Sequence, residues 1–119
     1  MIEGSDRLAD SPASTLALAC VEAGIEAARP EVVVHDTVAV DDDALVVTGT
    51  RYPLGDFDEI VVVGGGKAAA GVAAALEDVL GDRLSRGVVV TNDPRPTRTV
   101  EVVEGDHPVP SERGVKGAR

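Results

Sequence analysis

The stretch IVVVGGGKAAAGVAAALEDVL, residues 60–80, sets the fold class. A β-branched run, Ile60 to Val63, leads into three consecutive glycines, a single lysine and an alanine-rich segment. The first is strand chemistry and the last is helix chemistry. Ala69, Val72, Ala73, Leu76 and Val79 or Leu80 recur at helical spacing as a buried stripe. Gly71 inside that helix costs about 1 kcal/mol relative to alanine, so it is expected where the helix approaches the sheet closely. Gly81 is a natural stop. Glycines allow a sharp turn and leave N–H groups beside a helix N-terminus, where the dipole favours an anion. Lys67 adds a mobile positive charge there. Phosphate or carboxylate chemistry is one reading of this turn; a tight strand–helix connection with a solvated lysine is the other.

Two better-known glycine loops fit poorly. A P-loop needs a glycine five residues before Gly66 and a Ser or Thr after the lysine, and Val61 and Ala68 stand there. Gly64 to Ala69 satisfies the looser G-x-G-x-x-A dinucleotide pattern, but its acidic partner, expected about 20 positions on, has only the late Asp93 as a candidate.

Working outward, Val88–Val90 and Val100–Val103 read as further strands, the first apolar enough for a parallel sheet buried on both faces. Upstream, Ser11-Pro12 reads as a helix start; Leu18, Val21, Ile25 and Ala28 follow at helical spacing, and Arg29-Pro30 ends the element. Cys20 falls inside that pattern as a small core residue. Val32–Val40 and Ala44–Thr50 are β-rich runs flanking Asp41-Asp42-Asp43, read as a hairpin loop. Consecutive turn aspartates point in different directions, so these three are solvated rather than metal ligands. The expectation is α/β: a partial Rossmann-like parallel sheet with an N-terminal helix and a β-hairpin. Ligands gather at the carboxyl ends of such strands. The Gly64–Lys67 loop, Thr91-Asn92-Asp93 and Asp106-His107 are expected to share that edge. His107 precedes a proline and is held extended, for packing or for a ligand; His35 carries no functional argument.

The block YPLGDFDEIVVVGGGKAAAGVAAALEDVLGDR, then RGVVVTND, then VEVVEGDHPVPSERGVKGAR resembles the N-terminal part of the glycerate 2-kinase family, the MOFRL type often labelled hydroxypyruvate reductase. In order and spacing these match that family's VVGAGKAA, GVVVT and GHPVPDE segments. The leading helix and hairpin fit as well, so the resemblance extends over the whole chain. It implies ATP-dependent phosphorylation of D-glycerate to 2-phosphoglycerate with Mg²⁺. The family's active-site lysine falls on Lys67, and Gly64, Gly65, Gly66 and His107 fall on its substrate- and phosphate-binding side. Gly65 stands where alanine is common. Ser111 and Asn92-Asp93 stand where an aspartate and a lysine–tyrosine pair are expected.

Family members are long two-domain enzymes, whereas this chain has 119 residues. The expectation is therefore that residues 1–119 are a truncated N-terminal α/β domain, inactive alone, with the C-terminal domain absent. Ser111-Glu112 looks like a helix start close to the last residue, which agrees. The alternatives are a stand-alone nucleotide- or anion-binding module, and a non-catalytic half that pairs with a separately encoded C-terminal part.

Composition bounds the rest. Acidic residues outnumber basic ones 21 to 11, for a net charge of −10, and Lys67 and Lys116 are the only lysines. An acidic, lysine-poor, valine-rich chain resembles proteins of salt-loving archaea, in which self-repelling charge is screened. Nucleic acid is not an expected partner: the one basic cluster, Arg95 and Arg98, reads as a solvated loop. No apolar run approaches the roughly 20 residues of a membrane span. The N-terminus MIEGSDRLADSP is neither a signal nor a transit peptide. A lone Cys20 forms no internal disulfide and suits a reducing cytoplasm. Tyr52 and Phe57 are the only aromatics, so the core is expected to be built of Val, Ala and Leu.

Overall fold

The computed structural model describes residues 2–119. In chain order the elements are helices α1 (Ser5–Leu8), α2 (Pro12–Ala27) and α3 (Pro30–Thr37), then strands β1 (Val38–Asp41), β2 (Ala44–Val47), β3 (Thr50–Pro53) and β4 (Ile60–Gly65). Helix α4 (Ala69–Leu80), strands β5 (Leu84–Thr91) and β6 (Val100–Glu104), and helix α5 (Glu112–Gly117) follow. The mixed α/β class expected from the sequence is the one observed.

Two sheets form. β4, β5 and β6 are parallel, in the order β4-β5-β6, and β1-β2-β3 is an antiparallel meander. The core lies where α4 meets the parallel sheet: Ala73 and Leu80 pack with Leu84, Val89 and Val100, and Val40 and Leu45 of the meander close the same cluster. It is made of Val, Ala, Leu and Ile, as the scarcity of aromatics requires. The far face of the sheet is only partly covered. α5 packs on β5 and β6, but Val61 and Val63 of β4 are 38% and 72% exposed. Burial on both faces, expected from the apolar runs, holds for the middle of the sheet and not for β4.

Four local expectations are corrected. Val32–Thr37 is helix, not strand: Pro30 at N1 starts α3, which buries Val34 against neighbouring elements. Arg29-Pro30 therefore both ends α2 and opens α3. The hairpin carries a third strand, because Thr48 (φ 47°) and Gly49 (φ 85°) form a two-residue turn with both φ positive, the geometry that matches strand twist. Cys20 is exposed, and α2 buries none of its residues. Finally, Gly71 faces Pro30 rather than the sheet; a Cβ there would sit 3.2 Å from Pro30 Cγ.

Other boundaries agree. Ser11 caps α2, its Oγ accepting from Ser14 N–H while Ser14 Oγ accepts from Ser11 N–H. α4 ends at Gly81, φ 55°. Asp41 pairs with Ala44 across a turn containing Asp42 and Asp43.

Candidate functional site

The glycine turn is built from the sheet. Gly64 and Gly65 continue β4 and sit in register with Val89 and Val90 of β5. Gly66 then adopts φ 119°, a conformation L side chains rarely reach, and reverses the chain into α4. Its N–H donates to the Val90 carbonyl at 2.9 Å, and its own carbonyl accepts from Ala69 N–H at 3.1 Å. The sequence expectation of free glycine N–H groups therefore shifts by one or two residues. Among the described residues, the N–H groups of Lys67 and Ala68, and of Ala70 and Gly71 in the first turn of α4, find no backbone acceptor. Ala68 is the N-cap of α4 and supplies no side-chain cap, so the positive end of the helix dipole is left open there.

Thr91, at the carboxyl end of β5, ties the three segments together. Buried to 2% exposure, its hydroxyl donates to the Lys67 carbonyl at 3.2 Å and accepts from Asp93 N–H at 3.1 Å. Its carbonyl accepts from Gly105 N–H at 2.8 Å. One side chain and its backbone thus fix the lysine turn, the loop after β5 and the Asp106-His107 segment. The sequence placed Thr91 at this edge without its role as a tie.

These segments border a cleft of about 490 Å³ lined by Gly66, Lys67, Thr91, Asn92, Asp106 and His107, with α5 as a wall. Gly66, Lys67 and His107 are thus brought together. Gly64 and Gly65 are not; they line a separate depression of about 470 Å³ between β4 and α4, which Gly66 and Lys67 also border. Lys67 is exposed and forms no ion pair among the described residues. Asp93 is turned toward Arg95, 3.6 Å away.

Asp106 is the carboxylate of the cleft. The nearby Ser111 hydroxyl, opposed by partial burial and aided by the Arg113 guanidinium, holds its carboxyl below the usual range. The Arg113 contact is direct, Nη2 to Oδ1 at 2.9 Å. The Ser111 Oγ is buried and falls short of full hydrogen-bond geometry, and Ser111 caps α5 by position without a side-chain bond. Among the described residues, no three His, Cys, Asp or Glu side chains come together as a metal site. No described helix is long and apolar enough to cross a membrane.

Residues 16–119 match a family described as a domain of unknown function, DUF4147. The chain is 33% identical over 106 residues to a protein of Pyrococcus horikoshii named glycerate 2-kinase, covering 87% of this chain and 23% of that one. It is 34% identical over 107 residues to a Thermotoga maritima protein named D-glycerate 2-kinase, covering 87% and 22%. A crystal structure of a Pyrococcus horikoshii OT3 protein superposes with a TM-score of 0.75 at 32% identity, over 99% of this chain and 25% of that one. The chain spans about a quarter of the length of these relatives.

Proposed function

The chain belongs to the DUF4147 family, and from that premise we propose that it forms the Lys67 side of a glycerate 2-kinase active site. The reaction is ATP-dependent phosphorylation of D-glycerate at its 2-hydroxyl, giving 2-phosphoglycerate. One observation supports the reading above the rest. The turn carrying Lys67 and the segment carrying His107 border one cleft at the carboxyl ends of parallel strands, in a chain a third identical to proteins named for this activity.

In this reading Lys67 neutralises charge on the substrate carboxylate or on the transferring phosphoryl group. The N–H groups of Lys67 and Ala68 receive an anion at the open end of α4. Gly66, with Gly64 and Gly65 behind it, holds the backbone close, and His107 faces the substrate side. Mg²⁺ would supply charge neutralisation of the phosphates in such chemistry; among the described residues no cluster of this chain's side chains would hold it.

Residues 1–119 are, on this view, part of the N-terminal domain of a two-domain enzyme, and the remaining catalytic groups come from a C-terminal half. The chain's flat, extended shape favours such pairing over a stand-alone module. The excess of acidic residues supports a salt-rich interior, and the unpaired Cys20 suits a reducing cytoplasm.

The test is a titration of the purified chain in molar KCl with D-glycerate and with ATP–Mg²⁺, followed through backbone amide resonances, beside a phosphoryl-transfer assay. Saturable shifts are expected at Gly66, Lys67 and His107, with affinity falling about tenfold or more in Lys67→Ala and no turnover by the chain alone. Ligand binding unchanged by Lys67→Ala would overturn the assignment.

A further inference from the structure

Among the side chains lining the cleft, Lys67 carries the one full positive charge and Asp106 the one negative charge. In a chain of net charge −10, an exposed lysine that shares a cleft with a carboxylate is drawn to pair with it. The two are not paired. Asp106 Oδ1 accepts from Arg113 Nη2 at 2.9 Å, and no carboxylate lies within ion-pairing distance of Lys67 among the described residues. Arg113 owes its position to α5. That short helix is seated so tightly that a Cβ on Gly117 would meet Val90 Cγ2 at 2.7 Å and Val103 Cγ1 at 2.8 Å. The guanidinium is thereby held over Asp106 while remaining outside the cleft lining.

We propose that Arg113 is a positioning residue: by holding the Asp106 carboxylate it keeps Lys67 unpaired, so that the cleft accepts an anionic ligand instead of closing on an internal ion pair. The inference rests on the reading of Lys67 as the anion-binding cation. Arg113 touches no ligand in this arrangement and acts only through Asp106.

A mutant cycle tests it, with inorganic phosphate and D-glycerate as probes, at the lowest KCl concentration that keeps the chain folded by circular dichroism. Arg113→Gln is expected to weaken binding about 3- to 10-fold. Arg113→Lys, which keeps the charge, stays near wild type. The decisive variant is Arg113→Gln with Asp106→Asn, which regains wild-type affinity, because removing the freed carboxylate releases Lys67. A merely structural role for Arg113 gives no such rescue. Unchanged affinity in Arg113→Gln, or a double variant as weak as the single one, overturns the proposal while leaving the role of Lys67 standing. Should Arg113→Gln not fold, Asp106→Asn alone decides: affinity at or above wild type supports the proposal and a loss overturns it. If wild type and Lys67→Ala do not differ, the reading of Lys67 fails and this inference falls with it.

Discussion

At the scale of single residues, Glu77 is 3% exposed, and its carboxylate accepts the backbone N–H groups of Arg98, Thr99 and Val100, each at 2.7 Å. Burial alone would raise its pKa. The N–H groups of Val100, Arg98 and Thr99, together with the Arg98 charge, outweigh that and hold it below the ordinary carboxylate value. The folded state therefore binds the Glu77 proton less readily than the unfolded chain. The stabilisation is fully present above the unfolded pKa, near 4.3 in round terms (about that of free glutamate), and is lost as pH falls through the folded value. Glu77→Gln is expected to cost about 2–3 kcal/mol in urea unfolding at neutral pH and to flatten the acid limb of the stability profile. A wild-type acid limb in the variant would show that Glu77 does not carry it. Nothing in LEDVL marks this glutamate, because its partners lie 21 to 23 residues along the chain. Gly66 and Lys67 were legible for the opposite reason: a turn that needs positive φ, with a lysine beside it, leaves its mark within four consecutive letters.

At the scale of elements, legibility followed how local each cause is. The helix start at Ser11-Pro12, the stop at Gly81 and the strands on either side of the glycine turn are written in neighbouring residues and agree with the structure. The β-branched run Val32–Val34 was read as strand because β-branching weakly disfavours helix. Tertiary packing reversed it: α3 lies against α4, and Pro30 supplies a ready helix start. That contact depends on Gly71. Alanine there gains helix propensity of about 1 kcal/mol, but its Cβ would crowd Pro30 Cγ at 3.2 Å and Cβ at 3.4 Å, so the two effects nearly cancel. Gly71→Val adds bulk that Pro30 cannot evade, and is expected to destabilise by about 2–3 kcal/mol. Denaturant melts of the alanine and valine variants side by side check this; equal stabilities would mean that α3 shifts away freely. The third strand of the meander was missed because Thr48 is an unusual residue at positive φ, lacking the Asn-Gly signature of such turns.

At the scale of the whole molecule, the chain is a slab of 57 × 41 × 20 Å with a radius of gyration of 18.1 Å. A compact chain of this length has a radius of roughly 13.5 Å. Its accessible surface, 8253 Å², exceeds the value of about 6,100 Å² usual for its mass. The scarcity of aromatics implies a core of Val, Ala and Leu. The core exists, but it is thin, because α2 and the outer face of β4 bury little against it. With so little to oppose self-repulsion, a net charge of −10 weighs heavily on stability. Raising KCl from 0.1 to 2 M, roughly the range over which the Debye length falls from about 10 Å to below 3 Å, is expected to raise the melting temperature by about 10 °C or more. A melting temperature indifferent to KCl would remove the argument for a salt-rich setting. Among the described residues, the order β4-β5-β6 leaves one edge of β4 without a partner strand, and the Lys67 turn leaves the sheet from the end of that same strand. A polypeptide that adds a strand along β4 therefore arrives beside the Lys67 turn. With the anion site proposed for that turn, assembly and ligand capture share one thermodynamic cycle: whatever factor an added strand contributes to anion affinity, the anion contributes equally to the affinity for the strand.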